Sequence, residues 1–128
     1  MIQATFFKDS KGKYRGFSLL GHADYAWSGS DIICSAVTAL AVNTINSIEK
    51  LTPDKDKLIY HTDEKSGLLS CSFDGEIGPE STLLVNSLLL GLDSIRKSYN
   101  GRKPGKSFQS ILNGFQKKNY IKISIKEV

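Results

Sequence analysis

Over the first twenty residues apolar side chains alternate with polar ones, and from Ile32 they recur every three or four positions instead. That switch of period, from two to 3.6, requires a strand pair to be followed by a long helix. Ile2 to Phe7 alternates β-branched and aromatic residues, and Tyr14 to Leu20 alternates again. Asp9-Ser10-Lys11-Gly12 between them is a turn, so the chain opens with a hairpin. Ile33, Val37, Leu40, Ala41, Thr44, Ile45, Ile48 and Leu51 then share one helical face. Asp31 or Ser30 is the expected N-cap and Pro53 lies just past the end.

The pattern then runs through a second, looser round. Leu58 to Thr62 and Leu68 to Phe73 are short strands joined by a turn at Glu64–Gly67, with Leu69, Cys71 and Phe73 on one face. Pro79 opens a second helix that runs to Tyr99, where Asn100-Gly101 stops it. Leu83, Leu84, Val85, Leu88, Leu89, Leu90, Leu92 and Ile95 are too many for one stripe. A helix apolar on two sides is buried on two sides, and in so small a domain the second side is expected to meet another copy of the chain. Tyr120 to Ile125 alternates cleanly as a last strand. The order ββαββαβ predicts a layered α/β domain of α+β type, a mainly antiparallel sheet packed by two long helices. The 128 residues suit a single domain, with 101–118, around Pro104 and its flanking glycines, as an extended loop or insertion.

Composition excludes several classes. Hydrophobic residues are 40% and charged residues 23%, so the chain is neither disordered nor fibrous. The apolar stretches carry polar residues well short of the about 18 positions a bilayer span needs, and Met1–Lys8 has no signal-peptide pattern. Two cysteines make no disulfide framework, which points to a reducing cytoplasm. His22, Cys34, His61 and Cys71 lack the short paired spacings of a zinc site, and no phosphate-binding glycine loop occurs; no metal or cofactor is expected. Charge is uneven: residues 1–95 hold 8 basic and 12 acidic residues, whereas 96–128 hold 9 basic and one acidic. The basic segment either only solubilises the chain or makes weak contact with RNA phosphate, and the acidic body attracts a basic polypeptide.

The chemistry concentrates in Gly21-His22-Ala23-Asp24-Tyr25-Ala26-Trp27-Ser28-Gly29-Ser30-Asp31-Ile32-Ile33-Cys34-Ser35-Ala36. His22 ends the second strand, and Cys34 is expected in the first turn of the first helix. A thiol there feels the positive end of the helix dipole, and a neighbouring imidazole favours thiolate and can later protonate a leaving amine. The amides of Ile33 and Cys34 are candidate oxyanion donors. Asp31 either caps the helix or orients His22. Tyr25 and Trp27 either contact substrate or pack down the Ser28-Gly29 loop, which is a candidate lid. By itself a cysteine is as readily a small core residue. Cys71, in phase with Leu69 and Phe73, reads as core, and His61 as a surface strand residue.

Gly21-His22-Ala23, a short glycine-containing loop and then Gly29-x-Asp31-Ile32-x-Cys34-x-Ala36 closely resembles the bacterial ribosomal-processing cysteine protease family. The resemblance extends more loosely over residues 1–99. It implies a cysteine endopeptidase, active as a homodimer, that removes a short N-terminal extension from a large-subunit ribosomal protein. It implies His22 and Cys34 as the catalytic pair, supported by Gly21 and Asp31. Thr38 stands where the family commonly has serine, keeping the hydroxyl and adding a methyl. The link from Gly101 to Lys118 is longer than the family's. The competing expectation is a non-enzymatic ribosome-associated module that binds through the basic C-terminal segment. A redox thiol protein would need Cys71 as resolving cysteine, and its core-facing phase opposes that.

Overall fold

The computed structural model describes residues 1–21, 28–99 and 120–128, with 28–31 described by backbone alone. Its elements are β1 (Ile2–Lys8), β2 (Tyr14–Leu20), α1 (Ser28–Leu51), a 3₁₀ turn (Lys55–Lys57), β3 (Leu58–Asp63), β4 (Leu68–Phe73), α2 (Pro79–Tyr99) and β5 (Ile121–Glu127). This is the expected ββαββαβ order. The extended loop foreseen at 101–118 lies outside the described residues.

One five-stranded sheet runs β3-β4-β2-β1-β5. The hairpins β1–β2 and β3–β4 join antiparallel through β2 and β4, and β5 returns parallel to β1 at the far edge, Ile2 opposite Ile121 and Phe6 opposite Ile125. Between Phe7 and Lys8 a bulge shifts the β1–β2 register. That shift puts Tyr14 on the same face as Phe6, edge to face at 6.2 Å between centroids.

Both helices pack on one face of the sheet. Ile2, Ala4, Phe6, Phe17, Leu19, Cys71 and Phe73 point into that layer and meet Ile33, Val37, Ala41, Ile45 and Ile48 of α1 and Val85, Leu88 and Leu92 of α2 in a single core. Ile32–Leu51 reaches a mean hydropathy of 1.4, enough by length and composition alone to cross a bilayer. Here its apolar stripe covers the sheet, the ordinary position of a core helix. Leu40 of α1 seats against Gly91 of α2, where an added Cβ would stand 3.0 Å from it. The surplus of leucines on α2 divides in space. Leu88 is buried in this core rather than on an outer face, whereas Leu83 and Leu90, seven residues apart on one side, are each 68% exposed.

Asp54 holds the end of α1 to the start of α2. It is buried, and its Oδ2 accepts hydrogen bonds from the Gly78 amide at 2.9 Å and the Ser81 hydroxyl at 2.6 Å. Lys57 Nζ stands 3.2 Å from Oδ1 and donates to the Glu76 carbonyl at 2.6 Å. Burial pushes the carboxyl up, but the Ser81, Gly78 and Lys57 donors outweigh it and hold the group below the ordinary carboxylate value. A negative charge at the positive end of α2 is favoured by the helix dipole as well.

Candidate active site

A cavity of about 440 Å³ opens between α1 and the sheet, roofed by Cys34, Val37, Thr38 and Val42 and floored by Ile2, Leu19 and Leu69. Its far wall is the β3–β4 turn, Thr62, Asp63, Glu64, Gly67 and Leu68, and its near corner is Gly21. Cys34 is half-buried and packs against the core, so one side of the thiol rests on apolar atoms and the other meets the cavity. A wider hollow of about 850 Å³ at the start of α2 holds no thiol, and its buried acid, Asp54, is committed to the fold.

Gly21 is where β2 ends. Its φ is +100°, a conformation that L side chains rarely adopt, and a Cβ would lie 2.6 Å from the Met1 carbonyl oxygen. The glycine of the sequence motif therefore has a concrete cause: the backbone at Gly21 lies against Met1, the residue just before the neighbouring strand β1. His22 follows it directly. His22, Tyr25 and Trp27 lie outside the described residues, as do the side chains of Ser28, Gly29 and Asp31.

Helix α1 begins at Ser28, four residues before the expected Ile32. Asp31 and Ser30 thus lie inside its first turn and neither is the N-cap. Ser28-Gly29-Ser30-Asp31 has no apolar residue to mark a helical period, yet adding residues to an existing helix costs little compared with nucleating one. Cys34 therefore sits in the second turn. There the amides of Ile33 and Cys34 lie past the first four of the helix and bond back along the helical ladder, which competes with the expected role as oxyanion donors. The dipole also fades beyond the first turn, which leaves a neighbouring base as the main means of activating the sulfur.

The two cysteines differ sharply. Cys71 is buried under the helices, and burial pushes its thiol up to about 12, so it stays protonated and unreactive. No disulfide joins it to Cys34. His61 is exposed on β3, on the sheet face away from the cavity, and among the described residues no group of three or more metal-ligating side chains occurs. The β3–β4 wall was invisible in the sequence, because strand pairing, not spacing, brings residues 62–69 opposite Cys34.

The layered α/β fold thus presents one half-buried thiol, Cys34, to an apolar cleft. The family model of cysteine protease Prp matches residues 1–102, and the chain belongs to that family. It is a cysteine protease. The ribosomal processing cysteine protease Prp of Bacillus subtilis is 28% identical over 103 residues, covering 77% of this chain and 90% of the relative. The Staphylococcus aureus protein of the same name is 27% identical over 100 residues, covering 78% and 92%. A crystal structure of the S. aureus protease with a substrate peptide superposes with a TM-score of 0.75 at 21% identity, covering 98% of this chain and all of the other. Another, with a covalently linked product peptide, gives 0.74 at 22% identity over the same shares. The shared fold extends past the match in sequence to β5.

Proposed function

We propose that the chain is a cytoplasmic endopeptidase that removes a short N-terminal extension from a large-subunit ribosomal protein, with His22 and Cys34 as its catalytic pair. The observation that carries this reading is that Gly21 and Cys34 line one cavity. His22 is thus a single peptide bond from a residue that lines the cavity beside the Cys34 thiol. His22 takes the Cys34 proton, and the thiolate attacks the scissile carbonyl carbon. The tetrahedral adduct collapses as His22 gives that proton to the departing amine, leaving a thioester on Cys34. Water, deprotonated by His22, then attacks the thioester, and the acid product leaves as the thiol is restored. Ile2, Leu19, Val37, Val42 and Leu69 offer an apolar side chain of the substrate a dry seat beside the reacting carbonyl.

The protease reading displaces the non-enzymatic module. Assembly as a homodimer through the exposed Leu83 and Leu90, and weak RNA contact through the exposed Lys97, Lys122 and Lys126 of the basic segment, belong to the same proposal. The test is incubation with the same organism's ribosomal-protein precursor, followed by intact mass. Wild-type protein is expected to release the leader, and Cys34→Ala to release none while keeping its circular dichroism spectrum. Turnover retained by Cys34→Ala refutes the assignment.

A further inference from the structure

The cavity beside Cys34 has a polar end that its proposed chemistry does not use. Every charge on its described wall is negative: Asp63 and Glu64 stand on the β3–β4 turn, and among the described residues no lysine, arginine or histidine lines it. The two acids differ in what they already do. Asp63 is committed to the turn, its Oδ1 accepting from the Lys65 amide at 3.1 Å and its Oδ2 from the Ser66 hydroxyl at 3.0 Å. The Gly67 amide closes the turn on the Glu64 carbonyl at 3.3 Å. The Glu64 backbone is thereby held while its carboxylate forms no ion pair or hydrogen bond among the described residues. An exposed carboxylate on a braced turn, lining the same apolar cleft as the Cys34 thiol, is a charge with no partner among the described residues.

We infer that Glu64 is a specificity-determining residue, selecting peptides that carry a lysine or arginine within a few positions of the apolar side chain seated beside Cys34. The inference rests on the protease reading and adds to it the charge of the substrate. The seat for the apolar side chain and the acid at the rim belong to one cavity of about 440 Å³, so an extended peptide filling the first reaches the second. Asp63 contributes field at the same rim while remaining tied into the turn. The attraction acts over about 8 Å at physiological salt, the range over which exposed charges stay unscreened.

The test uses paired fluorogenic peptides spanning the precursor's cleavage site, identical except for a lysine–glutamine exchange at each of three positions on either side of the scissile bond. Wild-type protein is expected to prefer lysine at one of these positions by about two- to fivefold in kcat/KM, the range of an exposed ion pair. Glu64→Gln brings that ratio to one, Glu64→Lys inverts it, and raised salt flattens it. A wild-type ratio of one at all six positions, or an unchanged ratio in both variants, overturns the inference while leaving the protease intact. Failure of wild-type protein to cut any peptide or the full precursor overturns the protease reading and this inference with it.

Discussion

Replacing Asp54 by alanine should be among the most damaging single changes outside the apolar core. The residue is only 4% exposed and its carboxylate receives the Ser81 hydroxyl, the Gly78 amide and the Lys57 ammonium. A charge-assisted bond from a buried hydroxyl contributes about 1.5–3 kcal/mol, and losing the acceptor at a helix start costs about 0.5–2 kcal/mol. Lys57 is 40% exposed, so its pair is screened and adds about 1 kcal/mol at most. Asp54→Ala is therefore expected to lose about 3–5 kcal/mol, a large share of the roughly 5–15 kcal/mol that holds a domain together. Asp54→Asn keeps one acceptor oxygen and should lose about 1–3 kcal/mol. Because the folded carboxyl lies below its unfolded value of about 3.9, its contribution is complete above that pH and disappears as pH falls through the folded value. Urea unfolding followed by circular dichroism at several pH values measures both effects. A loss under about 1 kcal/mol for Asp54→Ala at pH 7, or a gap between wild type and Asp54→Asn that stays constant into acid, refutes the reasoning.

Three further outcomes follow from the same structure. Gly21→Ala forces a positive φ on an L residue and a Cβ against the Met1 carbonyl; it should cost about 1–2 kcal/mol from conformation alone and reduce cleavage more than Gly12→Ala, where the same strain meets open space. Cys71, held near 12, should resist iodoacetamide at pH 8 in the folded protein and react once urea unfolds it, as peptide mass mapping will show. Leu83→Glu with Leu90→Glu should convert a dimer to monomer in sedimentation velocity without altering the fold; a native monomer refutes the proposed assembly.

The sequence disclosed those parts of the fold whose cause is local. β2 and β4 begin and end where alternation places them, and α2 begins where Pro79 places it, because period and punctuation reside in neighbouring residues. The start of α1 was missed for the converse reason: Ser28-Gly29-Ser30-Asp31 has no apolar period, and serine and aspartate read as caps whether or not the helix continues through them. Leu88 was grouped with Leu83 and Leu90, since a helix apolar all round does not say which leucine faces the sheet. Cys34, Gly21 and Thr38 were legible as a motif, and all three line one cavity. Thr62, Asp63 and Glu64 were not, because the antiparallel pairing of β3 with β4, a long-range contact, sets them opposite the thiol. Asp54 was equally silent: its partners Gly78 and Ser81 lie 24 and 27 residues away.

The pairing of imidazole and sulfur is tested most directly by the pH dependence of Cys34 alkylation, followed by mass spectrometry in wild type and in His22→Ala. A wild-type thiol that is alkylated at neutral pH is the expected result. In His22→Ala the rate at pH 7 should fall by about tenfold, because the base that takes the thiol proton is gone. Superimposable profiles for the two proteins would contradict the pairing.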